Sequence, residues 1–316
     1  MGIKKQLAVL CAVAGAFVLF NYSIYTLFTY RYIDNAPQLM IEKSIELDQY
    51  LPFDENSKIV RQPSELRLGG DLPVLDGATA LFPVYSAFMH ALYPAGSAAF
   101  DRRDFTPKSF LQKRGTEGAY QAVVEGSADV IFVAQPSEEQ KKQAETAGAD
   151  LVYEPIGSEA FVFIVNAKNP VSALSTEEIQ GIYSGEYKNW QQLGGTDDEI
   201  IPLQRAENSG SQTAMRAFMA DKPLAANAIH LRGRAIGYSF RFYVSALSGK
   251  DNVKMLSVNG VYPSEENIRN GTYPVTEHFY AVYRKDNGNK NIPLLIDWIL
   301  SDEGQRIINQ MGYVGL

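Results

Sequence analysis

The stretch that decides the fold is Arg205-Ala206-Glu207-Asn208-Ser209-Gly210-Ser211, followed by a helical pattern from Gln212 to Met219. Pro202-Leu203, just before it, is typical of the end of a strand, so the sequence predicts a strand, a short turn and a helix. Ser209 or Ser211 suits the helix N-cap, because a hydroxyl accepts hydrogen bonds from first-turn N–H groups. The remaining N–H groups and the positive end of the helix dipole favour an anion at this point.

Two other residues of this turn support the same chemistry. Gly210 lets the backbone approach a ligand closely. Arg205 supplies a planar fork of donors that fits a tetrahedral oxyanion. The competing interpretation is an ordinary capped helix beside a surface arginine, and this stretch alone leaves both open.

Two further turns repeat the arrangement of small residues, a hydroxyl and a helix start. Asp76–Ala80 leads into an apolar helical pattern at Leu81–Tyr93, and Arg114–Gly118 leads into Ala119–Glu125. Because backbone donors that converge on one point form an anion nest, three such turns in one chain favour an anion site more strongly than one.

Composition narrows the classes of function. The 316 residues are 46% hydrophobic and 21% charged, which is typical of a globular protein. A formal net charge of −7 argues against nucleic acid as a partner, but a buried site can be locally positive. The single cysteine, Cys11, allows no intramolecular disulfide. The three histidines lack metal-ligand spacing, and the sequence predicts no metal and no cofactor. They are His90, His230 and His278.

The N-terminus predicts a membrane segment. Lys4 and Lys5 precede 25 residues, from Gln6 to Tyr30, that contain no charged side chain. This length can span a bilayer. A cleaved secretory signal and an uncleaved signal anchor both fit, and the polar and aromatic residues at the end of the run favour the anchor. We therefore expect a single-pass anchor over residues 1–30, with everything after Arg31 on the extracytoplasmic side of the cell membrane.

Residues 31–70 have the mixed, charged composition of a stalk, and the folded body begins near Leu72. There, short apolar runs such as Asp129–Val133 and Ala160–Val165 alternate with helical patterns. This alternation predicts an α/β fold with a largely parallel sheet, in which ligands collect where strands end and helices begin.

Over residues 72–316 the chain resembles the substrate-binding proteins of phosphate ABC importers, which have the two-lobed type 2 periplasmic-binding-protein fold. The resemblance is most specific in the strand-then-RxxxSGS turn and in the VNxxNPV motif. The stretches that carry it are DGATALFPVYSAF, GTEGAYQAVVEGSADVIFVAQPSEEQ, IGSEAFVFIVNAKNPV, IYSGEYKNW, PLQRAENSGSQTAMRAFM, IGYSF and LSDEGQRIINQMGY.

The resemblance implies two α/β lobes of mixed sheets flanked by helices, with the ligand in the cleft between them. Two hinge strands would cross near Phe161–Val165 and His278–Tyr283. Lobe 1 would comprise residues 71–157 and 277–316, and lobe 2 residues 158–276. By motif, Ala80 would contribute only its backbone N–H. The ligand-binding residues implied by the resemblance are Thr79, Ala80, Thr116, Arg205, Ser209, Gly210 and Ser211.

One departure from the family pattern concerns selectivity. Ala134 stands where well-studied members have an aspartate, after the strand in DVIFVAQ. Phosphate near neutral pH carries a proton and sulfate does not, so a carboxylate accepts a hydrogen bond from the first and repels the second. Glu117 and Glu207 are candidate substitutes, although either can be a solvated charge. Gln135 offers a neutral acceptor.

Three functions remain open on this sequence. The leading hypothesis is extracytoplasmic binding of inorganic phosphate for delivery to an ABC permease, with no enzymatic activity. The second keeps the fold but makes the protein an anchored sensor or receptor for phosphate or another oxyanion. The third is a phosphatase, against which Ser209 and Ser211 lack an evident base in the sequence.

Overall fold

The structure is a computed structural model that describes residues 2, 5, 15–25, 47–225, 234–247 and 253–316. Residues 15–25 form a helix. Within the described residues, no helix is both long and apolar enough to span a bilayer. Apart from residues 2 and 5, the rest of the anchor predicted over residues 1–30, including Cys11, lies outside the described residues, as do residues 31–46 of the predicted stalk.

The described part of the body contains nine β-strands and eight α-helices. The strands are β1 (Leu75–Gly77), β2 (Val130–Ala134), β3 (Leu151–Asn166), β4 (Ala173–Leu174), β5 (Ile200–Pro202), β6 (Arg234–Phe240), β7 (Val253–Met255), β8 (Ser257–Val258) and β9 (Thr276–Arg284). The helices are α1 (Phe82–Leu92), α2 (Gly115–Glu125), α3 (Glu138–Thr146), α4 (Thr176–Ser184), α5 (Gly210–Met219), α6 (Glu265–Arg269), α7 (Asn291–Leu300) and α8 (Asp302–Gln310).

The long strand β3 connects two sheets. Its first part, Leu151 to Ala160, pairs antiparallel with β9, which in turn pairs antiparallel with β2; β1 lies parallel to β2. Its second part, from Phe161 onward, pairs antiparallel with β6 and β7, and β5 lies parallel to β6. The sheets are therefore mixed, and β3 passes from one to the other between Ala160 and Phe161.

The second connection lies just before β9. All pairs of β9, from Thr276 to Arg284, are with β2 and the first part of β3. Phe161 donates its N–H to Val275 O at 3.0 Å, so the two connections lie side by side. We expected the second crossing near His278–Tyr283, but that segment belongs wholly to the first sheet.

Two separate hydrophobic cores follow from this topology. The first surrounds β1, β2, β9 and helices α1, α2, α7 and α8. The second surrounds the far part of β3 with β6, α4 and α5. The chain is therefore two-lobed, as the resemblance implied. Helix α1 is buried at every residue except His90, as its uniformly apolar sequence requires.

Candidate functional site

A cavity of about 250 Å³ lies between the lobes. Its walls include the three turns that the sequence singled out, together with segments of β3, β6 and β9. All seven residues predicted as ligand-binding line this cavity: Thr79, Ala80, Thr116, Arg205, Ser209, Gly210 and Ser211. The structure therefore brings the predicted set together, and their contact with a ligand remains a prediction.

The first turn follows β1 directly. Thr79–Leu81 form a 3₁₀ turn that runs into α1, so the amides of Thr79 and Ala80 open a helical segment and lack intrahelical acceptors. Gly77 is required here, because a Cβ would lie 2.5 Å from Phe132 O. The Tyr313 hydroxyl donates to Ala80 O and ties this turn to the C-terminal segment.

The second turn is held by a buried carboxylate. Asp76 is completely buried, accepts from Arg114 N at 2.9 Å and pairs with Arg114 Nη1 at 2.7 Å. Burial raises the pKa of Asp76, although its hydrogen bonds and the Arg114 charge oppose that shift. Gly115 follows with a φ of 75°, which favours glycine, and Thr116 then enters α2.

Arg114 also lines the cavity, as a second arginine besides Arg205, and is not among the seven residues predicted to bind the ligand. The sequence does show Asp76 at the end of one strand and Arg114 just before the next glycine-hydroxyl turn. Their pairing joins residues 38 positions apart, so the sequence alone did not reveal it.

The third turn resolves which serine caps the helix. Ser209 is the N-cap of α5 and accepts from Gln212 N at 3.3 Å, while its hydroxyl donates to Ala206 O at 2.8 Å. Ser211 lies inside the helix, and its hydroxyl forms no hydrogen bond to any described residue. The Ser209 hydroxyl is thus used within the turn, whereas Ser211 presents its hydroxyl at the cavity.

Arg205 is fixed through its backbone. Its N–H donates to Gln212 Oε1 at 3.0 Å and to the Tyr238 hydroxyl at 3.1 Å. Tyr238 also donates to Gln212 Oε1, and both side chains are buried. This small buried network fixes the backbone of Arg205 and hence the point from which its side chain extends. Less conformational entropy is then lost when the guanidinium binds an anion.

Helices from the two lobes begin close together in the cavity. A methyl group added at Gly210 would lie 3.5 Å from Thr116 Oγ1 and 3.5 Å from Ala134 Cβ. The start of α5 therefore lies against the start of α2 and the end of β2. Two positive helix ends directed into one small space favour an anion there.

Asn208 bridges the lobes beside this contact. Its Oδ1 accepts from Ser137 Oγ at 2.9 Å, and its Nδ2 donates to Glu139 Oε2 at 2.9 Å. Its carbonyl accepts from Gln140 Nε2 at 3.1 Å. All three partners belong to the start of α3 in the first lobe, so the structure has the cleft closed at this edge.

The three candidate substitutes for the missing aspartate have different surroundings. Glu207 lines the cavity but pairs with Arg216 on α5 at 2.6 Å. Glu117 lines the cavity and is exposed. Gln135 is not among the described residues that line the cavity, and its Nε2 donates to the Tyr280 hydroxyl at 3.1 Å.

Two further carboxyl groups, which were not predicted from the sequence as site residues, also line the cavity. Glu159 on β3 is 4% exposed, and burial raises its pKa to about 8, although Phe242 N–H and the charge of Arg241 oppose the shift. Glu277 on β9 is half-buried, and burial raises its pKa as well, opposed by His278. Buried carboxyls that hold a proton do not add negative charge to an anion site.

The structure places two of the three histidines. His90 lies on α1, its ring nitrogen accepts from Phe53 N, and burial lowers its pKa. His278 lines the cavity and bonds Ser158 Oγ through Nδ1 at 2.9 Å. His230 lies outside the described residues. No group of three or more metal-ligating side chains occurs in the described part of the chain.

Two lobes joined by two adjacent strands, with a polar cleft between them, define a cleft-type solute-binding protein. The family model described as "PBP superfamily domain" matches residues 74–303, and the chain belongs to this family.

Curated relatives are phosphate-binding proteins. The chain is 27% identical over 212 residues to "Phosphate-binding protein PstS" of Bacillus subtilis, covering 63% of this chain and 65% of that protein. It is 24% identical over 196 residues to the protein of the same name from Borreliella burgdorferi, covering 56% and 69%. The matches thus span about two thirds of these relatives.

Solved structures show the same fold. A Clostridium perfringens protein assigned as a phosphate ABC transporter substrate-binding protein, with bound phosphate, is 25% identical with a TM-score of 0.60, covering 77% of this chain and 98% of that one. An ABC-type phosphate transport receptor from Vibrio cholerae is 19% identical with a TM-score of 0.53, covering 77% and 99%.

Proposed function

We propose that this protein binds inorganic phosphate in the cleft between its lobes and delivers it to an ABC permease. The observation that carries the proposal is the convergence of Arg205 with the starts of α1, α2 and α5 on one 250 Å³ cavity. A relative of the same fold has phosphate bound, and the curated relatives are named for phosphate binding.

The donors available suit a dehydrated tetrahedral anion. Amides of Thr79, Ala80, Gly210 and Ser211 begin helical segments, and the Ser211 hydroxyl and the Arg205 guanidinium add side-chain donors. Charge-assisted hydrogen bonds in a closed cleft supply affinity and geometric selection together. The proposed binding residues are the seven predicted from the sequence, all of which line the cavity.

Binding is proposed to occur without turnover. A phosphatase needs an activated nucleophile or a metal-activated water. The Ser209 hydroxyl donates to Ala206 O, and Ser158, which bonds His278 Nδ1, is not among the described residues that line the cavity. Turnover of a chromogenic phosphate ester that disappears in Ser209→Ala would contradict this.

The N-terminal uncharged run is proposed to hold the binding domain at the outer face of the cell membrane, on the extracytoplasmic side. The proposal rests on the sequence of residues 1–30. Alkaline extraction of membranes containing the full chain tests it: an anchored protein stays with the membrane pellet, and recovery in the supernatant contradicts the anchor.

Calorimetric titration of the full chain with phosphate tests the binding function. We expect saturable binding of one phosphate per chain, which Arg205→Ala weakens strongly. Arg269→Ala is the matched control, because Arg269 is exposed at the end of α6 and is not among the described residues that line the cavity. No heat with phosphate, together with strong heat from another small anion, would refute phosphate as the ligand.

A further inference from the structure

The end of β2 offers no acceptor to a protonated anion. Ala134 pairs with Phe279 on β9, and Phe279 pairs on its other side with Gly157 on β3. The Phe279 ring lies over Gly157, because a Cβ there would be 2.5 Å from Phe279 Cζ. The members of this row that line the cleft, Ala134 and Phe279, therefore present a methyl group and a ring to it.

The next row on the same face consists of carboxyl groups. Glu159 and Glu277 are directly paired, and each lies two residues along its strand from the Gly157–Phe279 pair. Side chains two positions apart along a strand share a face of the sheet, with a spacing of about 7 Å. Both glutamates line the same cavity as Arg205 and Ala134.

One oxygen of Glu159 is engaged and the other is not. Oε1 accepts from Phe242 N at 2.5 Å, and Oε2 forms no hydrogen bond to any described residue. The enclosed side-chain polar atoms without a partner in the described part of the chain are Asn169 Nδ2 and Gln212 Nε2. Glu159 Oε2 is not among them, so it keeps some accessible surface, and Glu159 lines the cavity.

The surroundings of Glu159 come from several elements. Arg241 and Phe242 follow β6, with Arg241 Nη1 donating to Gly312 O at 3.0 Å. Tyr313 stacks on Phe242 with ring centroids 4.3 Å apart, and the negative charge of Glu159 raises the pKa of Tyr313 further beyond the effect of burial. Glu277 lies opposite it on β9, and His278, the next residue, bonds Ser158 instead. The charged groups that line the rest of the cavity are Arg114, Glu117, Arg205 and Glu207.

We propose that Glu159 is the specificity-determining residue of the cleft, accepting through Oε2 the hydrogen of a protonated oxyanion where the end of β2 has only Ala134. This inference rests on the proposed function. The acceptor has moved from the end of β2 to the strand that crosses between the lobes, where its carboxyl group is aligned by Phe242 N–H.

The selectivity between phosphate and sulfate should depend on pH, because it depends on whether Glu159 carries a proton. When Glu159 is ionised, a phosphate dianion donates its own O–H to the carboxylate, whereas sulfate has no hydrogen to donate and is repelled. When Glu159 is protonated, its O–H donates equally well to an oxygen of either anion. Because burial raises the pKa of Glu159 to about 8, the preference for phosphate over sulfate should rise as pH passes through that region.

The test measures phosphate and sulfate dissociation constants for the full chain, by calorimetry, from about pH 6.5 to about pH 9. We expect the ratio of sulfate to phosphate dissociation constants to grow by up to about tenfold per pH unit above the Glu159 pKa. A ratio that stays flat in the wild-type protein while phosphate binds well overturns the inference and leaves the proposed function intact. Failure to bind phosphate at every pH refutes the proposed function instead.

Variants assign the effect to one carboxyl group. Glu159→Gln keeps an oxygen for Phe242 N–H but presents only donors to the cavity, so its ratio should stay low and flat across the range. Glu277→Gln and Glu117→Gln are controls, and in both the rise with pH should persist. A rise that survives in Glu159→Gln, or that disappears in Glu277→Gln or Glu117→Gln, overturns the assignment to Glu159.

Discussion

Replacement of Asn208 tests whether closure of the lobes contributes to anion affinity. The Asn208 side chain makes two hydrogen bonds to the first lobe, to Ser137 Oγ and Glu139 Oε2, both at 2.9 Å. Asn208 has a φ of 60°, so alanine would add backbone strain, whereas glycine removes the side chain and suits that conformation. Asn208→Gly is therefore the informative change.

The expected magnitude follows from these two bonds. A typical hydrogen bond contributes about 0.5–1.5 kcal/mol, and exposure to water reduces the contribution of the charged Glu139 partner. A loss of about 1–2 kcal/mol from the closed state alone raises the dissociation constant by up to about 5- to 30-fold, because binding needs the closed state and the open state is unaffected. The carbonyl of residue 208 still accepts from Gln140.

Asn259→Gly is the matched control. Asn259 also has a positive φ, 51°, and also makes two side-chain hydrogen bonds, but both are to Thr176 within the second lobe. We expect Asn259→Gly to lower stability and leave the phosphate dissociation constant unchanged. Calorimetry gives the affinities, and small-angle scattering of the ligand-free protein should show Asn208→Gly as the more open form. If Asn208→Gly binds phosphate within twofold of the wild type, or Asn259→Gly weakens binding equally, the closure argument fails.

Four other outcomes follow from the site. Arg205→Lys keeps the charge but loses the planar fork, so calorimetry should show about 10- to 100-fold weaker phosphate binding, and unchanged binding would argue against a bidentate contact. Ser209→Ala removes the cap of α5 and should lower the free energy of unfolding by about 1 kcal/mol in a urea titration. Ser211→Ala should instead weaken phosphate binding with little effect on that titration, and the reverse pattern would contradict the assignment of the cap. The folded state keeps the Glu159 proton up to a pKa of about 8, whereas the unfolded chain loses it at the ordinary pKa of 4.5. The free energy of unfolding should therefore fall as pH rises through that window, by at most about 5 kcal/mol. Urea titrations at both ends of the window should show this fall in the wild type and a smaller one in Glu159→Gln.

The sequence was sufficient to identify the three turns because each is a local pattern. A glycine or alanine lies next to each of the residues Thr79, Thr116 and Ser211, at the start of a helical run. Helix starts are determined by residues within one turn. The family resemblance then supplied the prediction that these distant turns share one cleft, and the cavity between the lobes includes all of them.

The sequence was not sufficient where a contact depends on sheet register. Glu159 belongs to a mostly apolar run, and only the pairing of β3 with β9, with an irregularity between Pro155 and Gly157, places it opposite Glu277 on the cleft. A shift by one residue would turn its side chain to the other face. The choice between Ser209 and Ser211 as cap likewise depended on backbone angles that both residues could adopt.

A chain with a net charge of −7 can hold an anion because several of the carboxyl groups around its cleft are paired or protonated. Asp76 is paired with Arg114, and Glu207 with Arg216. Burial keeps a proton on Glu159 near neutral pH, which neutralises the most buried of the carboxyl groups that line the cavity. Arg205 and the helix starts then contribute positive charge at the cavity, whereas solvent screens the acidic groups of the outer surface. On this account, ionising Glu159 at high pH should weaken sulfate binding while phosphate, which brings its own hydrogen to the carboxylate, is retained.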